Sequence, residues 1–187
     1  MSLDVDLSLP RSTERMTLRV LDEIDLDAVH GWRSRADVTE YLPYGPQSRQ
    51  QVATALRTQS RVRRLVANDD RVVLAAVVDE QTVGELHLVL KSATLREFEV
   101  GWVFAPEVAG RGYATEGARE LLRIAFGEGR AHRVMAELDP LNTASVNLCR
   151  RLGMREEAHF VKNFRFDDGS WGDTGIWAIL DGEHTGA

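Results

Sequence analysis

The chain is poor in cysteine and has no long apolar run. Cys149 is the one cysteine among 187 residues, so no disulfide can form within the chain. No stretch approaches the roughly 18 consecutive apolar residues typical of a membrane-spanning helix. The opening residues, MSLDVDLSLP, are acidic and lack the positive segment and apolar core of a secretory signal. We therefore expect a soluble, cytoplasmic protein without a membrane partner.

Positive charge is also scarce. The chain has 23 Lys and Arg residues against 29 Asp and Glu residues, which gives a formal net charge of -6. Proteins that bind nucleic acid are usually basic, so this balance argues against a nucleic-acid partner. The single basic cluster, RTQSRVRR at 57–64, is typical of a solvent-exposed helix face.

Internal repeats and low-complexity linkers are absent as well, and the length suits one domain with a full core. Hydrophobic periodicity and turn residues predict elements in the order β-α-α-β-β-β-α-β-α-β-β. Regular βαβ winding would alternate strands and helices throughout, and this order does not. We therefore predict an α/β fold of the mixed-sheet (α+β) kind.

One predicted strand places two carboxylates on the same face of the sheet. Residues 97–104 read EFEVGWVF, and side chains in a strand alternate between its two faces. The apolar face is formed by four large side chains: Phe98, Val100, Trp102 and Phe104. The other face is formed by the alternate residues: Glu97, Glu99, Gly101 and Val103. The two acidic groups thus lie just before a glycine-containing stretch.

That stretch is VAGRGYATEG at 108–117, which precedes a helix predicted from Ala114. Glycines beside a helix start suit a bound phosphate, because free N–H groups and the helix dipole favour an anion. A dinucleotide site would need a third glycine where Thr115 stands, and a P-loop would need a G-x-x-x-x-G-K-[ST] run that is missing. A pyrophosphate-binding arm over 109–114 is left, with a tight loop without ligand as the alternative.

In its context the stretch resembles the acetyl-CoA motif of the GNAT superfamily of N-acetyltransferases. The branch it most resembles is the RimJ/RimL type, which acetylates ribosomal-protein N-termini and has small-amine relatives. The matching segments occur in the family's order: TERMTLR, VGELHL, FEVGWVFAPEVAGRGYATEGARELLRIAF, NTASVNLCRRLGM and DGSWGDTGIWAIL. The resemblance implies a single GNAT domain at 15–182, an N-terminal extension at 1–14 and a tail at 183–187. It also implies a mostly antiparallel central sheet that is splayed between strands 4 and 5.

The resemblance further implies where acetyl-CoA, the cosubstrate, binds. The pyrophosphate would lie on six consecutive residues: Ala109, Gly110, Arg111, Gly112, Tyr113 and Ala114. Ala109 stands where the family usually has Gln or Arg, which removes a side chain but keeps the backbone donor. Val103 and Phe104 would pair their backbone groups with the pantetheine chain, and Asn142 would contact the same chain. No metal ligand cluster is evident, so no metal is expected.

Transfer of acetyl to an amine requires a neutral amine, so a general base is expected. Glu99 is the candidate, because it matches a fourth-strand position used by some family members and shares a face with Glu97. A neighbouring carboxylate would raise its pKa toward the working range. Glu85 and His87 share a face of the preceding strand and are rivals for the base or for substrate contact.

The acid that protonates the leaving thiolate is the second expected role. Many family members carry a tyrosine seven residues after the motif asparagine, and Cys149 stands there in this chain. A cysteine on an apolar helix face is typically a small buried hydrophobic residue. Ser145, which matches the serine of the family's N-x-x-S segment, is therefore the candidate acid, and release of the thiolate without an acid is the alternative.

The expected reaction is acetyl transfer from acetyl-CoA to a primary amine, and the RimJ/RimL likeness favours a peptide or protein α-amino group. A small polyamine or aminoglycoside-like amine is the alternative, which acidic residues of the last turn (Asp167, Asp168, Asp173) would suit unless they only form the turn. An inactive acyl-CoA-binding protein is a further alternative, given the missing tyrosine. Whether the protein forms a homodimer is left open.

Overall fold

The computed structural model describes residues 4–60, 62–166 and 168–184. Strands in these ranges are β1 Val5–Asp6, β2 Arg11–Ser12, β3 Thr17–Val20, β4 Arg64–Leu65, β5 Arg71–Val78, β6 Gln81–Ser92, β7 Glu97–Phe104, β8 Arg133–Leu138, β9 Arg155–Arg165 and β10 Trp171–Leu180. The α-helices are α1 Leu26–Arg33, α2 Ala36–Thr39, α3 Arg49–Gln59, α4 Tyr113–Phe126 and α5 Thr143–Arg151. Short 3-10 turns cover Glu23–Asp25, Pro106–Val108 and Asp181–Glu183.

Eight of these strands form one sheet in the order β2-β3-β5-β6-β7-β8-β10-β9. Neighbouring strands are antiparallel except β7 and β8, which run parallel. Their pairing stops after Glu99 and Met135, although β7 continues to Phe104 and β8 to Leu138. The predicted mixed, mostly antiparallel sheet is therefore confirmed, and it is splayed where β7 and β8 separate.

Helices cover both faces of the sheet because the central strands are apolar on both sides. On one face, α4 and α5 pack on a core that includes Leu86, Phe98 and Leu121, all fully buried. On the other face, α1 and α3 pack on a smaller core around Trp32 and Leu56. The strand predicted at 97–104 has the alternation that the sequence indicates, since β7 buries Phe98 and Val100 in the α4 core.

The N-terminal segment contributes to this fold. β2 pairs with β3, and β1 pairs with β4 in a separate two-stranded sheet. Val5 and Leu7 are buried in the α4 core. These short strands and the four-residue α2 were not predicted from the sequence. No helix of the described ranges is long and apolar enough to cross a membrane.

Candidate active site

The stretch at 108–117 forms an arm that wraps the start of α4. Gly110 and Gly112 have φ angles of 75° and 83°, in the left-handed region that favours glycine. Gly112 is the N-cap of α4 and provides no side chain to cap the helix. Of the six backbone N–H groups predicted at 109–114, four have no hydrogen-bond acceptor among the described residues: those of Gly110, Gly112, Tyr113 and Ala114. They are the donors available to an anion.

The other two predicted donors of the arm are engaged. The N–H of Ala109 donates to the carbonyl of Pro106 at 3.0 Å, and that of Arg111 lies 3.4 Å from the carbonyl of Val108. The Arg111 side chain is exposed and makes no ion pair with a described residue. Its guanidinium is therefore free for a charged contact.

The arm borders a cleft of about 1200 Å³. The opposite walls are the end of β7, the start of α5 and the α2 region, which contributes Asp37, Val38 and Leu42. Two lining arginines, Arg119 and Arg151, make no ion pair with a described carboxylate, so their charges are available to phosphate groups. The cleft thus combines backbone donors and unpaired cations at one end.

The splay leaves one edge of β7 unpaired beside this cleft. The N–H of Ala105 donates to Val83 on β6, and Val103 lies opposite Glu85 on β6. Because alternate residues direct their backbone groups to opposite strand edges, Val103 uses its groups within the sheet. Trp102 and Phe104 direct theirs into the gap. Of the two residues predicted to pair with pantetheine, Phe104 directs its backbone groups into the gap and Val103 does not, while Trp102, which was not named in the prediction, directs its groups there as well.

The start of α5 brings the two polar residues of the N-x-x-S segment into the cleft. Asn142 is the N-cap, as its sequence position indicates, and its Oδ1 accepts from the N–H of Ser145 at 3.0 Å. Its amide nitrogen is left without a described partner. The Oγ of Ser145 accepts from the indole Nε1 of Trp102 at 3.2 Å. Both residues line the cleft.

Cys149 does not reach the cleft. Its side chain is fully buried in the α4 core, and burial raises the pKa of the thiol to about 12. The thiol is therefore neutral and shielded, as expected for a small buried hydrophobic residue.

Glu99 is the last residue of β7 that pairs with β8, so it lies where the strands begin to separate. It does not line the cleft itself. Its carboxylate is 3.2 Å from the Nζ of Lys91, and Glu97 is paired with Arg133 at 2.7 Å. The two acids therefore contact different cations, and Glu97 does not act as the uncompensated neighbour that the sequence suggested. Burial and the charge of Glu99 raise the pKa of Glu137 on β8.

Glu85, a predicted rival base, forms a buried ion pair with Arg33 of α1. The guanidinium donates from Nε at 2.9 Å and from Nη2 at 2.5 Å, and both side chains are at least 96% buried. The guanidinium carbon of Arg33 lies 5.9 Å from the centre of the Tyr44 ring. Burial of the Tyr44 phenol and the charge of Glu85 raise the pKa of that phenol to about 12. The carbonyl of Arg33 also accepts from the N–H of Gln47 at 2.8 Å. Arg33 thereby ties the loop after α2 to the sheet.

His87, the other rival, lies opposite Gly101 on the same face of the sheet. Its Nε2 is buried without a hydrogen-bond partner and is 4.0 Å from Glu85. Burial lowers the pKa of the imidazole to about 4. The charges of Arg71 and Arg33 lower this pKa further, and the charge of Glu85 acts in the opposite direction. The ring is therefore neutral at pH 7.

The acids of the last turn act within the β9–β10 hairpin. Asp168 accepts from the N–H and the hydroxyl of Ser170, and Asp173 accepts from the N–H of Lys162 and contacts His159. Neither lines the cleft. The contacts of Asp168 are those of a turn-forming residue, whereas Asp173 lies in β10 and contacts residues of β9. Asp167 lies outside the described residues.

Three residues that the sequence did not indicate fix the arm in place: Thr13, Arg15 and Glu116. The carboxylate of Glu116 accepts from the Thr13 hydroxyl at 2.6 Å and from the Arg15 backbone at 2.8 Å. A separation of more than 100 positions hides these contacts from local patterns. Among the described residues, no group of three or more His, Cys, Asp or Glu side chains could hold a metal ion.

Comparisons with known proteins agree with this geometry. The family model described as an acetyltransferase (GNAT) domain matches residues 15–155. The uncharacterized N-acetyltransferase YnaD of Bacillus subtilis is 27% identical over 92% of this chain and 97% of its own. The spermidine N(1)-acetyltransferase of Vibrio cholerae is 25% identical over 91% of this chain and 95% of its own.

Solved structures show the same fold. The GNAT-family acetyltransferase from Bacillus anthracis superposes with a TM-score of 0.81 at 29% identity, over 92% of this chain and 98% of that one. RimL, a ribosomal L7/L12 α-N-protein acetyltransferase solved with coenzyme A, superposes with a TM-score of 0.78 at 14% identity, over 91% and 97% of the two chains. At that identity RimL shares the fold alone. Since the family model matches most of the chain, the chain belongs to the GNAT family and is an acetyl-CoA-dependent N-acetyltransferase.

Proposed function

We propose that this acetyltransferase acts on a small cationic primary amine. The observation that carries the proposal is the charge imbalance where β7 and β8 separate. Lys91 lies 3.2 Å from Glu99 and 3.7 Å from Asp69, and the charge of Glu137 also acts on it. Three carboxylates therefore share one cation. An ammonium ion entering from this face would supply the missing positive charge.

A second acidic group lies at the loop after α2, close to the cleft wall. The charges of Glu40 and Asp139 both raise the pKa of Tyr41. Neither carboxylate forms an ion pair with a described residue. A polyamine could therefore place one ammonium here and another near Glu99.

Acetyl-CoA is held along the cleft in this proposal. The free N–H groups of the arm bind the pyrophosphate, and Arg111 adds a charged contact. The free edge of β7 at Trp102 and Phe104 pairs with the pantetheine chain, while the amide nitrogen of Asn142 donates to the same chain. The thioester then lies between β7 and β8.

The chemistry needs one proton removed and one supplied. Glu99 is proposed to accept the amine proton, directly or through water, because it stands nearest to the separation of the strands and remains partly exposed at 21%. Ser145 is proposed to donate to the leaving thiolate. The carboxylate of Glu85 forms an ion pair with Arg33, which makes Glu85 the weaker candidate for the general base. The neutral imidazole of His87 is the alternative.

The likeness to a spermidine acetyltransferase over nine-tenths of both chains supports a polyamine acceptor. A peptide α-amino group is the second candidate, and one observation favours it. Residues 136–138 of β8 pair with β10 but not with β7, which leaves a strand edge open to the gap. An extended peptide could add to such an edge.

The test compares initial rates of acetyl transfer, corrected for thioester hydrolysis, to spermidine, spermine and peptides of two to five residues that begin with Ala or Ser. A polyamine acetyltransferase gives the higher kcat/KM with the polyamines and no trend with peptide length. If the rates with peptides rise with peptide length and polyamines do not react, the acceptor is a peptide α-amino group and the polyamine proposal is wrong.

Variants test the roles of the two carboxylates. Glu137→Gln should raise the polyamine KM and leave the acetyl-CoA KM unchanged. Glu99→Gln should lower kcat/KM within the range of about 10²–10⁴-fold that general bases contribute. The matched control is Glu156→Gln, an exposed position on β9 outside the cleft. A loss below about threefold for Glu99→Gln would transfer the role to Glu85, His87 or bulk water, since it lies far beneath that range.

A further inference from the structure

Glu116 stands in the first turn of α4, directly after the donors of the arm. A carboxylate at this position stabilises a helix through the dipole. The same carboxylate would repel a second anion bound at that terminus. A protein that binds pyrophosphate here therefore has to neutralise Glu116.

Arg15, in the turn between β2 and β3, meets Glu116 and the arm at once. Its Nε and Nη2 lie 2.8 Å and 2.7 Å from the Glu116 carboxylate, and its Nη1 donates to the carbonyl of Arg111 at 2.9 Å. The guanidinium also lies 4.8 Å from the centre of the Tyr113 ring. A Cβ added to Gly112 would be 3.3 Å from Nη2, so the guanidinium packs directly against the arm.

Glu116 is ionised in this arrangement. Burial opposes the charged form, but hydrogen bonds from Thr13 and from the backbone and side chain of Arg15 outweigh it and lower the pKa of the carboxyl group. The side chain of Glu116 is 14% exposed, so water screens its charge only in part.

We propose that Arg15 is a positioning residue for acetyl-CoA, which cancels the charge of Glu116 and holds the arm open for the pyrophosphate. The N-terminal hairpin of β2 and β3 is then part of the cofactor site, although it lies almost a hundred residues from the arm in sequence. The inference rests on the proposed binding of pyrophosphate to the arm. It predicts that removing Arg15 weakens CoA binding mainly because the charge of Glu116 is then left uncompensated.

A double-mutant cycle tests this with calorimetry of CoA binding to the full chain. Arg15→Met should weaken CoA binding by about tenfold or more, as expected for one uncompensated charge near a phosphate. Glu116→Gln alone should change the affinity by less than about threefold, and the double variant should bind several-fold more tightly than Arg15→Met. At saturating acetyl-CoA and acceptor, kcat should stay unchanged in all three. The loss in Arg15→Met should also shrink as salt is added.

Arg49→Met is the matched control, because Arg49 forms an exposed pair with Asp27 outside the cleft. If Arg15→Met does not fold, Arg15→Lys keeps the charge but loses the forked contacts to Glu116 and Arg111, so CoA affinity should fall by less than about tenfold. A larger loss would contradict the charge argument. Wild-type affinity in Arg15→Met, or a double variant that binds no better than Arg15→Met, overturns the inference. Gly112→Val distinguishes failure of the proposed pyrophosphate site from failure of the role of Arg15. If Gly112→Val retains CoA binding, the arm is not the pyrophosphate site. If Gly112→Val loses CoA binding while the double-mutant cycle shows no coupling, only the role of Arg15 is wrong.

Discussion

The indole Nε1 of Trp102 donates a hydrogen bond of 3.2 Å to the Oγ of Ser145, and this contact joins β7 to α5 across the cleft. An indole can only donate, so the serine oxygen must accept. The hydrogen of the Ser145 hydroxyl is then free to point elsewhere. A hydroxyl fixed in this way is suited to donate to a thiolate that forms between β7 and α5.

We expect Ser145→Ala to lower kcat by about 10²-fold, the lower end of the range for general acids, because the leaving thiolate loses its donor. The acetyl-CoA KM should change little, since the backbone contacts of the cofactor remain. Steady-state kinetics at saturating acceptor measure both values.

Trp102→Phe serves as the comparison for that variant. It keeps a ring in the same place and removes only the donor, so Ser145 can still donate and kcat should fall less than in Ser145→Ala. Equal losses in the two variants would mean that the contact only braces the cleft. An unchanged kcat in Ser145→Ala would mean that the thiolate leaves without an acid.

Gly112→Val is expected to abolish CoA binding measured by calorimetry. The residue adopts a φ of 83°, which costs a non-glycine residue about 1–3 kcal/mol, and its Cβ would lie 3.3 Å from Arg15. The remaining atoms of the side chain would enter the space of the phosphate. Gly182→Val is the control, because a Cβ there meets nothing within 4 Å and the position is far from the arm. Unchanged affinity in Gly112→Val would exclude the arm as the phosphate site.

The sequence predicted those parts of the site that depend on local chemistry. Alternation in 97–104 reports which side chains share a face, and the glycines at 110 and 112 report a backbone that only glycine adopts easily. The capping role of Asn142 follows from its position before an apolar helical pattern. Each of these features is set by residues within about one helical turn.

The contacts that were missed join residues far apart in the chain. Arg15 and Glu116 are separated by 101 positions, and Arg33 and Glu85 by 52. Nothing in the neighbourhood of either arginine indicates its partner. The alternation of β7 was also insufficient to show that Glu97 faces Arg133, because that pairing depends on the register between β7 and β8.

His87 should make the protein less stable as the pH falls from about 6.5 to about 4. The imidazole has a pKa of about 4 in the folded protein and an ordinary pKa of 6.5 in the unfolded chain. Between these two pH values the unfolded chain therefore binds a proton that the folded protein does not bind, which favours unfolding. The full effect is at most about 3 kcal/mol, and less because the ring is 19% exposed. Urea midpoints measured across this pH range should fall less steeply for His87→Phe. His132→Gln, at an exposed histidine, is the control, and a wild-type slope in His87→Phe would contradict the prediction.

Replacing Glu85 by Gln should lower the free energy of unfolding by about 3–5 kcal/mol, because Arg33 would be left as a buried charge without a partner. Removing both partners, in Arg33→Met with Glu85→Leu, should cost less than either single change. Urea denaturation at pH 7 measures these values. The exposed pair of Arg49 and Asp27 is the control, for which the cost should stay within about 1 kcal/mol.

The same double variant also separates structure from catalysis. If Glu85 only neutralises Arg33, the folded double variant still transfers acetyl, and its loss is confined to the acceptor KM, because the Arg33 side chain packs against Tyr44 in the loop after α2. The backbone bond from Gln47 to the carbonyl of residue 33 is kept in this variant. If Glu85 is the general base, the folded variant loses kcat by about 10²-fold or more while CoA affinity persists. Glu99→Gln should then have little effect. Only one of the two carboxylates can therefore show the kinetic signature of the base, and we expect it from Glu99.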